Sequence, residues 1–255
     1  MDSSRSARSP LDQVALQEVA GPQWQVRLYA EAGSTNALAA ADPMRHRVVV
    51  ADHQQAGRGR LDREWVTPPG AALTFSAVFD PVVEAGWWPV LPLVAGYAVA
   101  RALGDFATLK WPNDVMIGEH KVCGILVERV NTRPPMVVIG IGINVDQTAD
   151  ELPVPTATSL ALAGHPVDRT ALFGDVVQSL RVWLGQFAQS PGTFMSHYRG
   201  RSATLDRTVR VELPGDRTAE GRAYDLDQHG RLVLETADGT LTLSAGDVVH
   251  VRPAG

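Results

Sequence analysis

Cysteine occurs once in 255 residues, as Cys123, so the chain has no internal disulfide and no CxxC metal or redox pair. A reducing cytoplasm is the expected compartment. Long apolar runs are also lacking. The longest uncharged window, Ala85 to Ala100, has 16 residues and holds Pro89 and Pro92, short of the roughly 20 needed to cross a bilayer. It reads as a buried helix starting after Pro92, and no membrane partner is expected. The first ten residues, MDSSRSARSP, are polar and lead into no apolar signal core. Residues 1–17 are therefore expected to be a disordered leader. Basic excess is missing too: 23 Lys and Arg stand against 28 Asp and Glu, for a net charge of −5. That excludes a surface that is one electrostatic footprint for nucleic acid. GxxxxGK[ST], GxGxxG, HExxH and GxSxG are all absent, which removes P-loop, Rossmann, zincin and serine-hydrolase readings.

What remains is a 45% hydrophobic chain, long enough for one large domain and a small appendage. Alternation and β-branched enrichment predict strands at Trp24–Tyr29, Arg47–Asp52, Ala72–Phe79, Lys121–Val130 and Met136–Val145. Helices are predicted at Thr35–Ala41, Leu93–Leu103 and Arg169–Phe187. Without a regular βαβ repeat, this is an α+β class with a mixed or antiparallel central sheet and flanking helices. After Arg201 only short strands follow, at Thr208–Glu212, Thr218–Asp225, Leu232–Glu235, Thr240–Leu243 and Val248–Arg252, with PGD, DQHG and ADG turns between. They predict a small β-barrel. The expected domains are 18–203, which carries the motifs, and 204–255.

Lysine is the other scarcity. The chain uses arginine 21 times and lysine twice, at Lys110 and Lys121. An ammonium is a compact point charge and a guanidinium a planar fork, so the two retained lysines invite a chemical reason. Lys110 opens KWPND and Lys121 opens KVCGILVE, with a strand–turn–strand segment between that predicts a hairpin bringing them near one another. Upstream, AGSTN puts Ser34 and Thr35 at a strand-to-helix junction, where a hydroxyl caps the helix or meets a ligand. HQQAGRGRLDREW, His53 to Trp65, places two glycines and three arginines in a loop suited to an anion. VIGIGINV, Val138 to Val145, is a buried strand whose glycines at 140 and 142 permit close approach, ending at Asn144.

Taken in order, GSTN, QQAGRGRxxRxW, KWPND, KxxGILVE and GIGxN resemble the biotin protein ligases over about residues 24 to 145. GRAYDLDQHGRLVL, Gly221–Leu234, is similar to that family's SH3-like C-terminal domain. The resemblance implies a catalytic fold of the class II aminoacyl-tRNA synthetase and biotin ligase type. It implies activation of biotin by MgATP to biotinyl-5′-AMP, then transfer to a lysine of a biotin carboxyl carrier protein domain of an acyl-CoA or pyruvate carboxylase. It assigns the biotin ring to Ser34, Thr35, Gln54, Gly57 and Arg58, and its fatty side to Gly124, Ile125 and Leu126. Lys121 and Arg60 would bridge carboxylate and phosphate. Arg60, Arg63, Trp65, Lys110, Asn113, Gly142 and Asn144 fall on the nucleotide, and Asp114 is a proton acceptor or an orienting group. Mg²⁺ would come with ATP, its ligands unassigned.

The chain departs from the family at Asp62, where glycine is frequent, and at Cys123, which reads as a small buried hydrophobe. About 23 residues precede the first strand, too few for a winged helix. The monofunctional class, with no nucleic-acid partner, is therefore expected. Rival readings are a lipoyl- or octanoyl-transferring relative, a non-catalytic sensor and an arginine-rich nucleic-acid binder. Gln54 with the GRGR loop, the presence of Lys121 and Arg60, and the negative net charge weigh against them in turn.

Arg58, Arg60 and Arg63 repel one another until an anion arrives, so closing of the Gly57–Trp65 loop should be coupled to adenylate binding. Limited trypsin digestion with biotin and MgATP should protect these three sites relative to the ligand-free chain. Equal cleavage with adenylate bound would contradict the coupling.

Overall fold

The structure is a computed structural model that describes residues 8–60, 63–65, 67–213, 215 and 217–250. Asp62 and the end of the strand expected at Val248–Arg252 lie outside the described residues. In chain order the elements are α1 (Gln13–Ala20), β1 (Gln25–Ala32), α2 (Thr35–Ala41), β2 (Arg47–Gln54), β3 (Gly57–Arg58), β4 (Glu64–Trp65) and β5 (Ala72–Phe79). Then come α3 (Leu91–Leu103), β6 (Ala107–Lys110), β7 (Asp114–Ile117), β8 (His120–Val130), β9 (Met136–Asn144), α4 (Arg169–Gln189) and α5 (Phe194–Arg199). The chain ends in β10 (Thr208–Leu213), β11 (Arg217–Leu226), β12 (Leu232–Thr236), β13 (Gly239–Leu243) and β14 (Asp247–His250).

Two compact units divide the chain. One comprises Met1–Asp80 and Leu126–Asp175, the other Pro81–Ile125 and Val176–Gly255.

In the first unit β1 runs parallel to β2, and β2, β5 and β9 pair antiparallel, so the sheet is mixed. Strand β5 is buried on both faces until its last residue, as an apolar run predicts. Helix α2 packs on the sheet through Ala39, which joins Val49, Val78 and Val138 in the core. Phe75 meets Phe173 edge to face, with centroids 5.2 Å apart.

The expectation of a disordered leader over 1–17 fails for its described part. Asp12 caps α1 by accepting from the amides of Val14 and Ala15 at 3.0 and 2.9 Å. Gly21, at φ 83°, ends the helix. Leu16 and Ala20 are buried, and that apolar stripe offsets the cost of ordering.

In the second unit β6, β7 and the start of β8 form an antiparallel meander. Helix α3 begins at Leu91, with Pro92 inside its first turn, where no amide proton is needed. Its Tyr97 packs edge to face on Trp183 at 4.5 Å and Phe194 at 5.8 Å. Five C-terminal strands form an antiparallel sheet ordered β13-β12-β11-β10-β14. The sheet suits an SH3-like domain but is not closed into the expected barrel. Strand β13 buries only Leu243, so it has no inward face to carry it round to β14. The sheet is tied to the KWPND segment: Trp111 Nε1 donates to Gly230 O at 2.8 Å, and its backbone amide to Thr204 Oγ1 at 2.9 Å. Among the described residues no helix is long and apolar enough to cross a membrane.

In the first unit the largely buried Arg169 donates from Nη1 to Asp52 Oδ1 at 2.7 Å and to Ala72 O at 3.2 Å. Its Nη2 donates to Ser9 O at 2.6 Å. Arg169→Ala strands a half-buried carboxylate and two carbonyls, so it should lower unfolding stability by roughly 2–4 kcal/mol. A urea titration checks this. Arg169→Lys should recover less than half, because an ammonium cannot fork to three acceptors.

Candidate active site

The first unit builds a chain of buried polar groups around the start of α2. Strands β1 and β2 run parallel, and the amides of Gln55 and Ala56 donate to Ala32 O and Gly33 O, both at 2.9 Å. These bonds fix the turn into α2. Ser34 caps the helix, accepting from the Ala37 amide at 3.4 Å. The Thr35 amide donates to Gln54 Oε1 at 2.9 Å, and Thr35 Oγ1 lies 3.1 Å from the same oxygen. Ser76, fully buried in β5, places its Oγ 2.7 Å from Thr35 Oγ1 and 2.6 Å from Asn36 Oδ1. Asn36 Nδ2 in turn donates to Glu128 Oε2 at 2.6 Å and to Leu126 O at 3.4 Å. Arg58 Nη2 completes the series, 3.3 Å from Glu128 Oε1.

Glycines make room for these groups. A Cβ at Gly140, which pairs with Ser76 across β5 and β9, would lie 2.1 Å from Asn36 Oδ1. One at Gly142 would lie 2.5 Å from Trp65 Cε2, so the indole sits against bare backbone. One at Gly57 would lie 2.1 Å from Gln54 Nε2. Strands β3 and β4 pair Gly57 with Trp65 and Arg58 with Glu64. Across the loop between them, the Gly59 amide donates to Arg63 O at 2.6 Å and the Arg63 amide to Arg60 O at 3.2 Å. Asn144 spends its side chain locally, donating to Thr158 O at 2.9 Å and accepting from Gln147 Nε2 at 2.8 Å.

The second unit carries the lysines. Lys110 pairs with Asp114 across β6 and β7, and Asp114 pairs with Gly124 across β7 and β8. Lys121 Nζ lies 2.6 Å from Asp114 Oδ1, both side chains keeping partial exposure. The hairpin thus places the two lysines on the strands flanking β7, either side of one carboxylate. Asn113 is bound to β8 twice: its Nδ2 donates to Ile125 O, and its carbonyl accepts from the Ile125 amide, both at 3.0 Å. Burial, and then the charge of Asp114, push the phenol of fully buried Tyr198 up, so a neutral hydroxyl sits near the pair.

One expectation needs correcting. Ile125 and Leu126 do not line a common surface, because neighbours on a strand point to opposite faces. Ile125 is 2% exposed and approaches Gly96 of α3. Cys123 is fully buried, as a small hydrophobe would be.

Sequence reasoning did not single out Ser76, Asn36, Glu128 or Tyr198. Asn36 and Glu128 stand inside the GSTN and KVCGILVE motifs. Ser76 carried its own signal, one of two hydroxyls with Thr74 in the otherwise apolar strand LTFSAVF, since a buried polar group must find a partner.

Residues 33–144 match the model of the biotin/lipoate A/B protein ligase family, and residues 204–251 match that of the biotin protein ligase C-terminal domain. The chain is 38% identical over 265 aligned residues to the biotin–[acetyl-CoA-carboxylase] ligase of Mycobacterium tuberculosis, covering 96% of this chain and 97% of that one. It is 31% identical over 214 residues to the bifunctional ligase/repressor BirA of Escherichia coli, covering 80% of this chain and 66% of that protein. The solved structure of the Aquifex aeolicus biotin protein ligase in complex with biotin and ATP superposes with a TM-score of 0.77 at 28% identity, covering 89% of this chain and 98% of that one. At this identity across nearly the whole of both sequences, the chain belongs to the biotin protein ligases.

Proposed function

We propose that the chain is an ATP-dependent biotin protein ligase. It activates biotin to biotinyl-5′-AMP and passes the biotinyl group to a lysine of a biotin carboxyl carrier domain. The observation that carries this reading is the near full-length likeness to the M. tuberculosis ligase. In the first step a carboxylate oxygen of biotin bonds to the α-phosphorus of ATP while the bond to the β-phosphate breaks and pyrophosphate leaves. Two anions must meet, so preorganised cations, Lys121 and Arg60, hold them together.

The polar edge of Thr35 and Gln54, with Ser34, Gly57 and Arg58, takes the ureido ring. Gly124 and Leu126 take the fatty side. Arg63, Trp65, Lys110, Asn113, Gly142 and Asn144 serve the nucleotide. In the second step the carrier lysine's amine bonds to the acyl carbon, AMP leaves, and Asp114 accepts or orients the departing proton. Among the described residues no three His, Cys, Asp or Glu side chains cluster as a metal site. Mg²⁺ would come with ATP, neutralising phosphate charge. The lone cysteine suits a reducing cytoplasm.

Lys121→Ala should lower biotin-dependent pyrophosphate release by on the order of 10² or more, with the fold intact by circular dichroism. Near wild-type release would refute the assignment. Gly142→Ala drives a methyl into the Trp65 ring, and should raise the KM for ATP about tenfold while moving biotin affinity less than about threefold. Steady-state kinetics at varied ATP and biotin separate the two.

A further inference from the structure

Strand β1 is the outer strand of the first unit's sheet, with β2 on one side, and among the described residues no strand pairs the other. A free strand edge turns a row of N–H and C=O groups outward, a ready template for another chain. Helix α1 lies along this edge with two glutamines one turn apart. The carboxamide of Gln13 donates from Nε2 to Val26 O at 3.1 Å and accepts at Oε1 from the Leu28 amide at 2.8 Å. Gln17 repeats the pattern two strand residues back: Nε2 donates to Trp24 O at 2.9 Å, and Oε1 accepts from the Val26 amide at 3.0 Å. A carboxamide carries the donor and the acceptor of a peptide group, so each glutamine stands where a peptide of a neighbouring strand would stand. The spacing fits, because four helical residues rise about 6 Å and two strand residues about 6.6 Å.

We propose that α1 is a surrogate edge strand whose glutamines close β1 to pairing with β1 of a second copy of this chain. The strand is complementary to itself. Gln25, Arg27, Tyr29 and Glu31 share its exposed face. Antiparallel pairing about Tyr29 would set Arg27 of each copy opposite Glu31 of the other, and Tyr29 opposite its copy. It would also bring Leu28 opposite Ala30, so that outward-turned backbone groups meet. Opposite charges and facing rings are what favour one cross-strand partner over another. The helix is held over the edge by its Asp12 cap and by buried Leu16 and Ala20 on its core side. Gln13 is exposed, so its place is set by its bonds to the strand and not by packing. The proposal stands apart from the ligase reading.

The test compares the full-length wild type with the double variant Gln13→Leu, Gln17→Leu, which keeps helix propensity and bulk but cannot bond to the strand. Sedimentation velocity over a range of concentrations and amide hydrogen exchange read the result. In the wild type the Val26 and Leu28 amides should exchange slowly at every concentration. In the double variant they should exchange fast when dilute and slowly when concentrated, with self-association about tenfold or more tighter than in the wild type. Adding Arg27→Glu sets two Glu–Glu pairs across the dimer and should weaken that association about tenfold. Adding Glu31→Arg as well should restore it. A folded double variant that associates no more than the wild type would overturn the proposal, as would association that ignores both charge changes. So would fast exchange of Val26 and Leu28 in the wild type. If the double variant does not fold, Gln17→Leu alone is put through the same measurements and judged by the same outcomes.

Discussion

A primary amide buried between a carboxylate and a hydroxyl has one orientation that satisfies every partner, and Asn36 is such an amide. Its nitrogen faces Glu128 and its oxygen faces Ser76, each at 2.6 Å. An unmet polar group there would cost about 1–3 kcal/mol. The backbone is shaped around it. Ser76 and Gly140 are cross-strand partners in β5 and β9, so the hydroxyl and the vacant Cβ position face Asn36 at one level of the sheet. The start of α2 is thereby held to β5, β9 and the Leu126–Glu128 stretch of β8, and Thr35 inherits its place from its neighbour. Apolar packing through Ala39, Val49, Val78 and Val138 supplies non-directional attraction. The polar chain supplies the direction.

Under the proposed function the second unit solves a different problem, holding Lys121 in place to meet an anion. Strand pairing puts Lys121 and Asp114 on neighbouring strands, and a 2.6 Å contact between partly exposed groups is favourable without the full desolvation penalty of a buried pair. On that reading an incoming phosphate or carboxylate would compete with Asp114 for the ammonium. A carboxylate displaced in this way would be available to accept a proton, which would join the two proposed roles of the pair. The KWPND segment that carries Asp114 is anchored at Trp111 by Gly230 and Thr204. The C-terminal sheet thus holds in place the segment that carries Asp114.

Much of this was legible in the chain because the relevant signals are local. Strand patterning located β5, and the Ser34 cap located helix α2, to the residue, since a mostly apolar run and a cap need no tertiary information. The scarcity of lysine pointed to Lys110 and Lys121, and the hairpin that joins them lies in one short segment. Helix α1 was missed because its residues follow a polar leader and its apolar stripe is narrow, although Asp12 and Gly21 were readable as caps. The barrel was over-read because alternation reports strands, while closure depends on whether the edges meet. The polar chain was the hardest. Ser76, Asn36 and Glu128 come from three distant segments, and no spacing rule reveals that a serine in an apolar strand faces a helix's second residue.

Transfer to protein tests the enzymatic reading most directly, because it needs both steps. A recombinant biotin carboxyl carrier domain, incubated with the chain, biotin and MgATP, would be followed by intact-mass measurement and peptide mapping. The structure and its relatives lead to a gain of one biotinyl group on a single lysine, dependent on ATP and not replaced by lipoate or octanoate. An unmodified carrier domain in the presence of folded chain, or acylation by lipoate in place of biotin, would contradict it.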